Sequence, residues 1–222
     1  MRSFDDILAI AIARKGSREA VLGDAPAPRS ADQIAAIPDD RWLAGMARGI
    51  FQAGISWKVV EAKWPGIEEA FDGFEVGPLS LMSEERFDGL LTDTRVIRSG
   101  PKIAAIRDNA AFIRRVSETE GGFGRKMADW PGEDFAGLLD WLKREGARLG
   151  GNTGAYLLRS MGKDGYMLSK DVVARLVAEG VIDKPPGSRK AMQPMQEAFN
   201  AWAAESGESL TTISRVLARS IG

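Results

Sequence analysis

Apolar residues in this chain recur at helical spacing and nowhere alternate, and this pattern constrains the fold before anything else does. Within residues 102–116, Ile103, Ile106, Ala110 and Ile113 share one helical face. Phe4, Ile7, Leu8 and Ala11 do the same near the start, as do Trp42, Met46 and Ile50, then Leu138, Leu139 and Leu142, then Val172, Val173 and Leu176. No stretch shows the two-residue alternation of a half-buried strand. The expectation is an all-α fold of many short to medium helices with short connections. The chain has 222 residues, 44% of them hydrophobic, enough for one large domain or two lobes with a core of their own.

Local signals place the breaks. Ser3 caps a first helix over residues 3–15, and 16–30, with Gly23, Pro26 and Pro28, is expected as a loop. A short helix over 30–36 stops before Pro38. Pro38-Asp39-Asp40 starts a helix running to about Phe51. Gly54 interrupts it, and a helix from Trp57 is expected to stop at Pro65-Gly66, with a brief turn over 68–71. Another helix begins at Ser83, a loop covers 93–99, and 102–116 is helical. Loops are expected at 121–124 and 130–133, a helix over 135–145, a glycine-rich turn over 146–153, and helices over 154–161 and 170–179. Pro185-Pro186-Gly187 breaks the chain before two last helices, 192–206 and 209–220. A two-lobed arrangement would put 38–145 in one lobe and the first helix with 146–222 in the other.

Composition excludes whole classes of chemistry. There are 30 basic and 31 acidic residues, net −1, so no global field draws the molecule onto nucleic acid and any such binding needs a local patch. Without Cys there is no disulfide, thiolate nucleophile or cysteine zinc site; without His, the commonest general base and metal ligand are missing. Catalysis must therefore use Asp, Glu, Lys, Tyr, Ser or Thr, and neither metal nor cofactor is expected. No apolar run could span a bilayer, and the first twelve residues lack the order of a signal peptide. A cytoplasmic monomer with no membrane partner is the expectation.

Four stretches could carry function. In Phe51-Gln52-Ala53-Gly54-Ile55-Ser56-Trp57, two aromatics bracket a helix break. Phe51 and Trp57 fit either the core or the face of a stacked base, and Gln52 and Ser56 could bond its edge. Gly150-Gly151-Asn152-Thr153 fits a plain helix connection, or a hairpin whose backbone amides and following helix start hold a phosphate. Asp171, beside Lys170 at a helix start, fits a cap, or a carboxylate that activates water or stabilises a cationic sugar. Arg95 to Lys102, with Arg98, Ser99-Gly100-Pro101 and Lys102, fits a solvated loop or a phosphate contact.

These residues resemble the type I 3-methyladenine DNA glycosylases. Gln52 to Trp57 is similar to that family's Gln-Ala-Gly-Leu-Ser-Trp signature, and Val96-Ile97-Arg98, Lys102-Ile103 and Asn109-Ala110 to its Ile-Ile-Arg…Lys-Ile…Asn-Ala segment. Gly151-Asn152-Thr153 with Tyr156 resembles its later hairpin and helix. The resemblance implies a two-lobed helix–hairpin–helix glycosylase fold acting on double-stranded DNA that contains a damaged base. It departs in three places. The family's structural zinc ligands are absent, so helix packing must close the termini. The Glu that recognises the methylated base, three residues before the signature Gln, is replaced by Gly49, next to Arg48. Asp171, in Ser169 to Leu176, stands where the family has a zinc ligand and is similar to the catalytic Asp of the wider superfamily.

The function expected is therefore that of a monofunctional DNA glycosylase for an alkylated base: Asp171 catalytic; Phe51, Gln52, Ser56 and Trp57 on the base; Arg98, Lys102, Gly150, Gly151, Asn152, Thr153 and Lys170 on DNA. The alternatives are a DNA-binding protein that kept this fold without the chemistry, and a helical interaction protein with no DNA role.

Overall fold

The computed structural model describes residues 1–23 and 27–221; Pro26, expected in a loop, lies outside them. Among the described residues there are α-helices and short 3-10 turns and no strand. In chain order the helices are α1 (Phe4–Lys15), α2 (Arg18–Leu22), α3 (Ala31–Ala35), α4 (Asp39–Gln52) and α5 (Trp57–Ala70). Then come α6 (Val76–Ser80), α7 (Glu84–Thr92), α8 (Gly100–Glu120), α9 (Phe123–Asp129) and α10 (Phe135–Glu145). The last four are α11 (Asn152–Ser160), α12 (Lys170–Ala178), α13 (Arg189–Ser206) and α14 (Leu210–Arg219). None is long and apolar enough to cross a membrane.

Most differences from the expected boundaries have local causes. α2 forms inside the expected loop because Ser17 accepts from the Ala20 amide and Val21 is buried. α5 continues through Pro65 because Trp64, Ile67 and Ala70 are buried along one face, so packing outweighs one lost backbone bond. α9 forms at Phe123, where an Asp39 carboxylate oxygen accepts the Phe123 amide at 3.0 Å; the other oxygen accepts from Ser117. α8 starts before 102 because Pro101 sits in its first turn, where its missing N–H costs nothing, and it runs on to Glu120, where Gly121 closes it at φ +73°.

Contacts divide the chain into two compact units. The central unit comprises Ser30–Asp129 and Trp141–Met161, and so includes α11; the terminal unit comprises Met1–Arg29, Trp130–Asp140 and residues 162–222. In the central unit, Trp42 meets Phe123 edge-on with ring centroids 5.4 Å apart, and Phe112 packs on both Phe123 and Trp141. A second aromatic run stacks Trp64 on Phe74 and Phe74 on Phe71, with Phe51 edge-on to Phe71. Each such pair contributes about 0.5–1.5 kcal/mol beyond its burial.

In the terminal unit, α14 packs against α1 and α12. Asp164 caps α14 by accepting from the Leu210 and Thr211 amides at 3.0 and 2.8 Å. Tyr166 stacks on Phe199 at 4.3 Å and donates its hydroxyl to Gln196 Oε1 at 3.1 Å; burial raises its pKa above the ordinary tyrosine value. Trp202 donates its indole N–H to the Arg2 carbonyl at 3.0 Å.

Candidate functional site

α4 ends at Gln52, and Gly54, at φ +78°, turns the chain so that Ser56 and Trp57 open α5. That positive φ is a conformation glycine adopts without strain. The end of a helix leaves carbonyls without partners. Here Lys102 supplies them: its ammonium donates to the carbonyls of Phe51 at 2.9 Å and Ala53 at 2.6 Å. Burial, and then the nearby Arg148, hold its pKa below the usual lysine value. Lys102 is therefore a clamp on this turn, with two of its three donors committed to it.

The hairpin between α10 and α11 is braced from α8. Asn109, fully buried, donates Nδ2 to the Ala147 carbonyl and accepts the Ala147 amide on Oδ1, both at 2.9 Å. The Asn109 side chain thus pairs with the hairpin as another peptide group would. Arg148 follows at φ +58° and donates Nε to the Pro101 carbonyl at 3.2 Å. Leu149 is buried, and Gly151, at φ +60°, precedes Asn152 with no side chain capping α11. The first amides of α11 are thus without a side-chain acceptor, as an anion site requires.

α11 lies close on α4 because two glycines face it. A Cβ at Gly45 would stand 2.9 Å from Leu157 Cδ1, and one at Gly49 would stand 3.3 Å from Thr153 Cγ2. Thus Gly49 has a packing reason: a larger side chain there must displace Thr153.

Two cavities open along this seam. One, of about 500 Å³, is lined by Gly49, Gln52, Ala53, Trp57, Asn152, Thr153 and Tyr156. The other, of about 410 Å³, shares Gly49, Gln52 and Tyr156 and adds Arg48, Trp64 and Leu157 among others. Trp57 is 62% and Tyr156 60% exposed, and they are the exposed aromatics among the described residues. Two aromatics left in solvent beside one cavity, with amide and hydroxyl groups between them, make a place for a flat polar ring.

The sequence-derived candidates separate as follows. Gln52, Trp57, Asn152 and Thr153 come together in one cavity. Ser56 is exposed beside Trp57 and lines neither cavity; Gly150 and Gly151 lie in the adjoining hairpin. Phe51 has no exposed surface and packs on Phe71, so its ring cannot meet a base; this corrects its expected stacking role. Arg98 is exposed, with no hydrogen-bond or ion-pair partner among the described residues. Lys170 and Asp171 belong to the terminal unit, in the first turn of α12, both exposed; Ser169 provides the cap by accepting from the Val172 amide. Sequence reasoning missed Tyr156 as a wall, Trp64 as a partly cavity-facing ring, and Glu61, which accepts from Gln52 Nε2 at 3.2 Å. The signal for Tyr156 was available: it falls four residues after Asn152 on the same helix, hence on the same face.

Residues 39–134 match the methyladenine glycosylase family. The matching segment contains α4, the Gly54 turn, α5 and the Lys102 clamp. No curated protein sequence matches the chain. Similar solved folds include the Staphylococcus aureus 3-methyladenine DNA glycosylase I, at 23% identity and TM-score 0.50, covering 56% of this chain and 77% of that one. Another 3-methyladenine DNA glycosylase I structure aligns at 21% identity and TM-score 0.50, covering 61% and 81%. The Methanocaldococcus jannaschii 8-oxoguanine glycosylase/lyase, solved with a 15mer DNA containing 8-oxoguanine, aligns at 13% identity and TM-score 0.50, covering 96% and 95%. At these identities the likeness is one of fold: all-α, of the kind shared by methyladenine and 8-oxoguanine glycosylases.

Proposed function

We propose that this protein is a DNA glycosylase that hydrolyses the N-glycosidic bond of a flipped, alkylated base, without a cofactor. The observation that carries this reading is the pairing of Trp57 and Tyr156 on one cavity beside the α10–α11 hairpin. Flipping a nucleotide costs a few kcal/mol, least for a damaged base. Stacking on an aromatic returns about 1–3 kcal/mol per base. Gln52 bonds the base edge, and Ser56 borders the opening. The amides from Gly150 to Thr153, with Arg98 and Lys170, hold backbone phosphates.

With no His in the chain, the charge developing on the sugar falls to a carboxylate, and Asp171 takes that role. Its anion stabilises an oxocarbenium-like C1′ and orients water. The C1′–N bond breaks with its electron pair leaving on the base, which alkylation had made cationic and which departs neutral; a C1′–O bond forms to the water, whose proton passes to Asp171 and on to solvent. No lysine adduct forms, so the product is an intact abasic strand.

End-labelled duplexes carrying 3-methyladenine, 7-methylguanine or hypoxanthine test this. Release should yield sites cleaved only after alkali, and Asp171→Asn should slow release by about 100-fold or more. An unchanged rate in that variant would remove Asp171 from the mechanism. Binding of every duplex with release from none would leave a DNA-binding protein of the same fold.

A further inference from the structure

The smaller cavity holds an arginine whose hydrogen bonds the fold does not use. Arg48 lies 4.3 Å over the Trp64 ring, with its Nε 3.6 Å from Glu61 Oε1, beyond hydrogen-bond reach. Its Nε is buried without a partner, and the guanidinium makes no hydrogen bond among the described residues. A guanidinium can only donate, and buried donors are normally satisfied. Stacking on Trp64, itself backed by Phe74, fixes the plane of the group; Nε is shut off from a ligand, so a ligand in the cavity would meet the terminal Nη amino groups.

Gln52 stands four residues on, on the same face of α4, and lines the same cavity. Its amide orientation is settled by chemistry. Glu61 accepts from it, and a carboxylate only accepts, so the nitrogen faces Glu61, with one of its two hydrogens committed there, and Oε1 remains free to accept. Glu61 itself lines neither cavity. At Gly49, where a carboxylate would favour a cationic base, there is no side chain, and Thr153 closes on the space. The cavity wall therefore offers a fixed donor and, one turn along, a free acceptor.

We infer that this cavity takes a purine through a 6-carbonyl, N1–H edge, with Arg48 donating to the carbonyl and Gln52 Oε1 accepting from N1–H. The inference rests on reading the two cavities, which share Gly49, Gln52 and Tyr156, as one base site. With the purine's orientation fixed by its bond to the sugar, an adenine-type edge, with an amino group and a bare N1, sets donor against donor and acceptor against acceptor. 3-Methyladenine carries that disfavoured edge; hypoxanthine and 7-methylguanine carry the favoured one. A site built around such bonds rejects the mismatched edge because its own polar groups are left unpaired.

The experiment titrates the full chain with otherwise identical duplexes carrying hypoxanthine or adenine unpaired at the same position, at neutral pH, following tryptophan fluorescence, and in parallel measures release from duplexes carrying hypoxanthine or 3-methyladenine. Hypoxanthine should bind about tenfold tighter than adenine or better. Arg48→Met and, separately, Gln52→Met should bring the ratio toward one, with melting curves confirming that each variant is folded. Equal binding of the two bases, binding of neither, or an unchanged ratio in folded Arg48→Met would overturn the inference. Preference for hypoxanthine without release from any duplex would uphold the edge assignment and sink the glycosylase reading. Release of 3-methyladenine without a hypoxanthine preference would do the reverse.

Discussion

Arg175 in the terminal unit and Arg48 in the central unit are the same residue type in opposite circumstances. The Arg175 side chain is 7% exposed and fully engaged: Nε donates to Ser220 Oγ at 2.7 Å, Nη2 to the Ser220 carbonyl, and Nη1 to Glu179 at 3.2 Å. Glu179 in turn accepts the Arg2 amide and guanidinium, both at 2.8 Å. Arg48 is 41% exposed on its side chain, stacks on a ring, makes one long ion pair with Glu61 at 3.6 Å, and has no hydrogen bond among the described residues. One guanidinium joins the segment before α1 and the end of α14 to α12, in a chain that contains no Cys or His for a metal clasp. The other is aimed by stacking and left with its hydrogen bonds unmade. The contrast teaches where to look for ligand chemistry: at a charged group whose position is fixed but whose bonding is incomplete.

The sharpest way to break this comparison is Arg175→Met. Glu179 would lose one of two cationic partners inside the fold, and Ser220 both of its donors. Removing one member of a buried ion pair costs about 3–5 kcal/mol, so the melting transition should fall by many degrees. A loss below 1 kcal/mol by urea unfolding would show that the network is incidental.

The same network predicts a pH signature. Burial alone would raise the Glu179 pKa, but the hydrogen bonds from Arg2 and Arg175 outweigh it and hold the carboxyl below its usual value. A depressed carboxyl stabilises the fold above its unfolded pKa, and that contribution is lost as pH falls through the folded one. The melting-temperature gap between wild type and Glu179→Gln should therefore be wide at neutral pH and close below pH about 4. A gap that widens on acidification would contradict the assignment.

These roles were not equally legible in the sequence. Helix faces were, because burial imposes a 3.6-residue period that Ile103, Ile106, Ala110 and Ile113 display openly. The Gln52–Trp57 string marked the turn, and Trp57 and Gln52 line a cavity there. What the string could not show is which of its aromatics faces out. Phe51 and Trp57 flank the same break, and only the packing of Phe71 against one of them decides it. The clamp made by Lys102 is not legible because charge is visible in sequence while a carbonyl partner 49 residues away is not. Arg48 and Glu61 went unread because their meaning depends on Trp64 and Gln52 standing beside them. Short helices such as α2 and α6 were missed because a five-residue segment carries too little periodicity to announce itself.

A middle case sharpens the comparison. Asn109 is fully satisfied like Arg175, yet it acts on the wall of the candidate site, since its two bonds to Ala147 hold the hairpin that carries Asn152 and Thr153. Asn109→Ala leaves a buried amide and carbonyl without partners, a cost of about 1–3 kcal/mol. It should also weaken duplex binding, because the hairpin amides lose their brace. Asn109→Asp should keep the amide-accepting bond and fail on the carbonyl, giving an intermediate stability. Unaltered duplex affinity in a folded Asn109→Ala would separate the hairpin from DNA.

The smallest stability effect is expected at Arg48, and it decides whether the comparison holds. Arg48→Met keeps an unbranched chain over Trp64 and removes the guanidinium. What the fold loses is one cation–π contact and a long, half-exposed ion pair with Glu61. A partly exposed cation–π contact contributes about 0.5–1 kcal/mol, and a pair of this exposure less. Met recovers part of that by packing on the ring, and the buried Nε that now lacks a partner is relieved of its unmet bond. The net change should therefore stay within about 0.5 kcal/mol of wild type, and it could be stabilising, as substitutions in sites kept for function often are. Denaturant unfolding measures it directly. A loss comparable to that of Arg175→Met would mean that Arg48 supports the fold after all, and its open hydrogen bonds would no longer argue for a ligand.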